Sequence, residues 1–179
     1  MNGEFNSGVP RHSHPLLANK QPMREVFTEQ EWPLLAFSFK SNLMNSYAIG
    51  NERLRMIKPY NPVQMNIKDA QRFGIKHGDT ISIESPGGEV VGLALVSESV
   101  MPGSLGIEHG YGHRDLGATP HVIDGESQPD MPWMRAGLNI NDLGFRDPTR
   151  NVDGTWLEPI SGSAIRQGLP VRVTRLGTS

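Results

Sequence analysis

The sequence predicts a mostly β domain with short helices, its strands closed into a small barrel with one helix packed at an opening. Three observations point there. Gly (20) and Pro (14) are about a fifth of the 179 residues, a share that favours short strands and many turns over long helices. Thr80-Ile81-Ser82-Ile83-Glu84 alternates strictly, and a Ser85-Pro86-Gly87-Gly88 turn links it to the apolar run Glu89–Val96. Just upstream, Asn66 to Gly74 carries a compact helix signal with a start and a stop.

In chain order, residues 1–24 are rich in Gly, Asn, Ser, His and Pro without periodicity. They read as a flexible tail or linker, so the domain is expected over 25–179. His12 and His14 fall in that tail and read as solvated rather than metal-binding. Trp32–Lys40 is short, apolar and aromatic, a first strand. Ser41-Asn42-Leu43-Met44-Asn45-Ser46-Tyr47 is polar and suits a loop that hydrogen-bonds a ligand. Asn61–Asn66 leads into the helix, where Asn66 is a good N-cap, Asp69 favours the positive end of the helix dipole, and Gly74 ends it. Ala70 and Phe73, three apart, supply its inner face. After the hairpin, Met101-Pro102-Gly103 turns the chain into a short strand, Ser104–Ile107. Residues 108–163 are loop-rich and too long to be idle inside a compact domain, and Trp133 and Trp156 argue that they are ordered. Gly168–Arg175 is the last strand.

Composition narrows the function classes. Seventeen basic and nineteen acidic residues give a formal net charge of −2, so no global field draws in nucleic acid or an anionic membrane. No apolar run approaches the roughly 20 residues that span a bilayer, and Met1–Pro22 has no apolar core of a secretory signal. With no cysteine, this chain supplies no disulfide, thiolate nucleophile or iron–sulfur ligand. His109 and His113 are four apart, a spacing that suits a metal only on a helix, and Gly110 and Gly112 oppose one. Cofactor contact and plain loop packing stay open for that segment. Asp142 and Asp147 have no nucleophile beside them, and no catalytic residue is assigned.

The run from Asn66 to Val90, with its Asn-x-x-Asp-Ala start, Gly74-Ile75-x-x-Gly78-Asp79 and Ser85-x-x-Gly88, resembles a known module. It is similar to the molybdopterin-dinucleotide-binding domain at the C-terminus of the dimethyl-sulfoxide-reductase family. Val100-Met101-Pro102-Gly103 and His109-Gly110 continue the resemblance. Gly137–Leu143, Ser161–Ala164 and Gly168–Val173 resemble the tetrathionate reductase and respiratory arsenate reductase branch, the former being favoured.

The resemblance implies a six-stranded double-psi β-barrel. It implies a molybdopterin guanine dinucleotide cofactor with molybdenum, present in the intact subunit, and iron–sulfur clusters only in its N-terminal part. It implies cofactor-binding roles for Lys40, Ser41, Asn42, Asn45, Ser46, Asn66, His109, Asn139, Arg166 and Gln167. The expected partners are the remainder of the catalytic subunit, an electron-transfer iron–sulfur subunit and a membrane anchor subunit. The expected location of the parent is the periplasm or the outer face of the cytoplasmic membrane. The expected activity is anaerobic reduction of tetrathionate to thiosulfate by the parent, with none from this domain alone. A stand-alone double-psi barrel that binds protein partners is the rival from another class. Segment 108–163 argues against it, since a minimal barrel does not need it.

Overall fold

The computed structural model describes residues 8–9, 14–45, 47–115, 117–151, 154–157 and 161–178. Its strands are β1 (Leu34–Phe39), β2 (Val63–Asn66), β3 (Asp79–Ser85), β4 (Gly88–Ser97), β5 (Ser104–Glu108), β6 (His121–Ile123), β7 (Glu126–Gln128) and β8 (Gln167–Thr178). Its helices are α1 (Met23–Val26), α2 (Glu52–Ile57) and α3 (Ile67–Phe73), and two 3-10 turns cover Pro132–Arg135 and Ile140–Leu143. Six strands close into a barrel in the order β1-β5-β2-β4-β3-β8, while β6 and β7 form a separate hairpin.

Period-two alternation fills the barrel. Leu34 and Ala36, Val63 and Met65, Ile81 and Ile83, Leu105 and Ile107, and Val171 and Val173 are all buried. Each large side chain so buried contributes about 1.5–3 kcal/mol relative to exposure. β1 runs parallel to β5 and β2 parallel to β4; the other barrel pairs are antiparallel. These registers define two ends. One, the mouth, gathers the C-terminal ends of β1, β3 and β5 and the N-terminal ends of β2, β4 and β8. The other carries α3 and the Met101–Gly103 turn.

α3 forms as its sequence predicts. Asn66 Oδ1 accepts the Lys68 amide at 2.9 Å, and Gly74 sits at φ 65° in the left-handed region. Asp69 does more than favour the helix dipole: its Oδ2 accepts the Gly103 amide at 2.7 Å and ties α3 to the turn before β5.

The structure departs from expectation in two places. Residues 15–24 are not a free tail. Leu17 and Met23 are 3% and 1% exposed within the core, Trp156 Nε1 donates to the Leu16 carbonyl at 2.9 Å, and Asp147 Oδ2 accepts the Ala18 amide at 2.7 Å. Two apolar residues six apart carry no periodicity, so only their distant partners reveal them. β2 and α2 were not expected either. β2 has four residues and merges into α3, and α2 is a six-residue turn capped by Asn51, whose Oδ1 accepts from Leu54. Among the described residues of 108–163, Leu138, Ile140, Leu143, Phe145 and Trp156 belong to the core.

Candidate ligand-binding mouth of the barrel

The mouth is assembled by buried polar side chains that grip loop backbones. Asn61, directly before β2, donates through Nδ2 to the Glu108 carbonyl (2.7 Å) and the Leu138 carbonyl (2.9 Å), and its Oδ1 accepts the Leu138 amide (2.9 Å). Both donors and the oxygen of one amide are thereby spent. The residues it holds immediately precede His109 and Asn139. Ser85, at the end of β3, sets its hydroxyl against the carbonyls of Leu143 and Gly144. Gly112 has φ 65°, and a Cβ there would stand 2.6 Å from the Asn139 amide nitrogen, so only glycine permits this approach.

Around this frame the structure brings together much of the expected set. Lys40 follows the last residue of β1, and the His109 amide donates to the Phe39 carbonyl at 2.8 Å. Gln167 opens β8 and donates through Nε2 to the Ser38 carbonyl at 2.9 Å. Arg166 precedes it and lines a cleft of about 260 Å³ with Asn141. Asn139 lines a cavity of about 550 Å³ with His113, Arg114, Arg135, Asp142 and Glu89. Its Oδ1 accepts the Asn141 amide at 3.0 Å, an Asx turn that starts the second 3-10 turn.

The loop after β1 uses some of its polar side chains on itself. Ser41 Oγ accepts from Leu43 (3.3 Å) and Met44 (3.2 Å), and Asn45 Oδ1 accepts the Tyr47 amide (2.9 Å). Asn42 is exposed, and Ser46 lies outside the described residues. Asn66 is not brought to the mouth. It pairs with Ser97 at the far end of β4, and its Nδ2 donates to the Val100 carbonyl at 2.7 Å while its Oδ1 caps α3. The sequence shows that Asn66 starts a helix, but not which end of the barrel the helix occupies.

Positive groups shape the electrostatics of His109. Burial depresses the His109 pKa first, and the nearby positive charges of Arg166, Lys40 and His113 depress it further. A side chain whose protonated form is disfavoured by burial and by Arg166 and Lys40 beside it marks a place where a negative ligand charge is welcome.

Sequence reasoning missed Asn61 and a set of buried ionisable groups beneath α2. Arg55 and Glu108 are 2% and 1% exposed. Lys58 pairs with Glu108 Oε2, and the Arg55 guanidinium stacks 4.1 Å from the centroid of the Tyr111 ring. Burial and Glu108 push the Tyr111 pKa up, against the pull of Arg55. Burial and Arg55 push the His113 pKa down. Asn61-Pro62 was the one local signal available, a polar side chain fixed just ahead of a strand.

A closed six-stranded barrel with a cationic, amide-lined mouth defines a class of binding domain for polyanionic cofactors, and comparison with known families places it. The family model described as "Molydopterin dinucleotide binding domain" matches residues 40–155, and the chain belongs to that family. It is a molybdopterin-dinucleotide-binding domain related to tetrathionate reductases. The matching tetrathionate reductase polypeptide of Salmonella typhimurium is 47% identical over 97% of this chain and 17% of the relative. Its counterpart in Archaeoglobus fulgidus is 33% identical over 51% of this chain and 8% of the relative. A selenate reductase polypeptide of Mesobacillus selenatarsenatis is 31% identical over 67% and 13%. The chain thus spans 17% or less of the length of these relatives. Acetylene hydratase from Pelobacter acetylenicus shares the fold, with a TM-score of 0.63 at 18% identity over 93% of this chain and 21% of that one.

Proposed function

We infer that this domain grips the dinucleotide tail of a molybdenum cofactor within the catalytic subunit of a tetrathionate reductase. The carrying observation is that Lys40 and Arg166 lie close enough to His109 at the barrel mouth to act on its charge. The donor set fits the ligand: cations counter a pyrophosphate, and Asn amides match the mixed donor and acceptor edges of pterin and guanine. The cofactor is molybdopterin guanine dinucleotide carrying molybdenum, which supplies two-electron redox chemistry when bound. With those two electrons one tetrathionate gives two thiosulfates, the central S–S bond being broken.

This chain's own share is binding and exclusion of water. Lys40 and Arg166 hold negative charge, an arriving anion offsets the depression of the His109 pKa, and the Leu138–Phe145 segment covers the barrel end. Walling off the site strengthens every polar contact inside it. The remainder of the same subunit completes the site. An iron–sulfur subunit delivers electrons and a membrane anchor subunit holds the assembly, at the periplasmic or outer face of the cytoplasmic membrane. The 47% identity to a tetrathionate reductase supports the choice of acceptor.

Two measurements test this reading. Titrating the chain with GDP should give binding that weakens about tenfold in Arg166→Gln, the scale of one charge-assisted hydrogen bond. Binding unaffected by both Arg166→Gln and Lys40→Gln would remove the phosphate site. The complete subunit, assayed with tetrathionate, arsenate and selenate in turn, should turn over tetrathionate fastest; a preference for either other oxyanion overturns the acceptor.

A further inference from the structure

α2 is turned inside out. A surface helix ordinarily sets its apolar side chains against the core and its charged ones in water. In α2 the fully buried side chain is Arg55, whereas Met56 and Ile57 are 77% and 67% exposed. At about 100° per residue, Ile57 stands nearly opposite Arg55. Of the helix's three apolar residues only Leu54 packs inward, against the cluster of Met44, Ala48 and Tyr111. Tyr60, just past the helix, is exposed as well.

The inversion is held in place. Arg55 donates through Nη2 to the Met134 carbonyl at 3.3 Å and lies over the Tyr111 ring. Lys58 pairs with Glu108, and the Lys58 carbonyl accepts the Tyr111 hydroxyl at 3.2 Å. Rolling α2 to hide Met56 and Ile57 would break all of these. Arg55 Nε and Nη1 have no hydrogen-bond partner, although arginine is almost never fully buried unless paired. An apolar face held outward by such contacts is a surface made to be covered. It also adjoins the mouth: Glu108, the partner of Lys58, is the residue before His109, and Asn61 follows Lys58 by three residues.

We propose that Met56, Ile57 and Tyr60 form the docking face for the remainder of the same catalytic polypeptide, which meets this domain along the rim of the mouth. Two observations choose that occupant. The tetrathionate reductase polypeptide of Salmonella typhimurium matches 97% of this chain over only 17% of its own length, so most of such a polypeptide lies outside this domain. The face also continues the mouth, where the remainder of the subunit completes the cofactor site. Glu52 and Arg53, exposed on the same helix, carry opposite charges, which suits a protein surface rather than an anionic membrane. This rests on the reading of the chain as one domain of a larger catalytic subunit.

The test is oxidation by dilute hydrogen peroxide, followed residue by residue with mass spectrometry. Met101, at the opposite end of the barrel, is also 77% exposed and sets the rate of an open methionine. In the chain alone, Met56 should oxidise as fast as Met101. In the complete catalytic subunit, purified without partner subunits, Met56 oxidation should slow by about tenfold or more, since susceptibility follows exposure. Ile57→Asp should leave the urea midpoint of the chain unchanged and restore fast Met56 oxidation in the complete subunit. Should the altered subunit fail to accumulate, the unaltered protein still decides. Met56 as reactive in the complete subunit as in the chain overturns the proposal. Protection that appears only when an iron–sulfur subunit is added, or in the chain alone as its concentration rises, overturns it too, giving the face to that subunit or to a second copy. Met56 protected in the complete subunit while GDP binding ignores both Arg166→Gln and Lys40→Gln keeps the docking face and refutes the phosphate site. The reverse pair of results refutes the face and keeps the phosphate site.

Discussion

Asn61 shows how much of the mouth depends on one side chain. Its amide joins the ends of two segments that are 47 and 77 residues away. Asn61→Leu removes all three bonds and leaves buried backbone groups unpaired, at about 1–3 kcal/mol each. Urea unfolding should show a loss on that scale, and GDP affinity should fall too, since His109 and Asn139 follow the residues it holds. His109 belongs to the same scale. Burial, then Arg166, Lys40 and His113, keep its folded pKa below the ordinary value of roughly 6.5, so the folded chain binds fewer protons than the unfolded one. Its contribution to stability is complete above about pH 6.5 and is lost as pH falls from there through the depressed folded value. A bound polyanion reverses the shift. Below pH 6.5, binding should take up protons, seen by calorimetry as a heat that changes with buffer ionisation enthalpy, and Arg166→Gln should raise the His109 pKa of the free chain. A His109 pKa unchanged by Arg166→Gln would mean that the two do not share a field.

At the scale of the element, the segment from Pro15 to α1 behaves as a latch. It closes across the long insertion through Ala18 to Asp147 and Leu16 to Trp156, and it buries Leu17 and Met23. Leu17→Ala should cost about 2–5 kcal/mol, as for other buried leucines. A change within about 0.5 kcal/mol, the range of surface substitutions, would show the latch to be loosely held. Asp147 is pushed up by burial, but hydrogen bonds from Thr149 and the Ala18 amide outweigh this and its pKa is lowered. The latch therefore gains from ionised Asp147 above roughly pH 3.9 and loses that gain as pH drops through the lower folded value.

For the whole molecule, the barrel and its insertion are unequal partners. The strands form a closed ladder, whereas the segment after β5 is held by the apolar contacts of Leu138–Phe145 and Trp156 and by long-range side-chain grips at Asn61, Ser85 and Asp147. Native-state hydrogen exchange should find the slowest amides in β3, β4 and β8, and faster exchange along the β6–β7 hairpin, where Val122 and Ile123 are exposed. Slow exchange throughout 108–146 would mean that the insertion and barrel open as one unit.

The sequence by itself determined α3, with its Asn66 start and Gly74 stop, the β3–β4 hairpin, and the family. Caps act over two to four residues and strand patterns repeat every two, so a linear reading captures them. Tertiary structure alone decided that Asn66 faces away from the mouth, that Leu17 and Met23 are core, and that Arg55 and Glu108 are buried together. Those outcomes rest on contacts such as Lys58 to Glu108, 50 residues apart, and Leu16 to Trp156, 140 apart. Closing the barrel sets which distant residues meet, and burial then changes what their charges and amides can do.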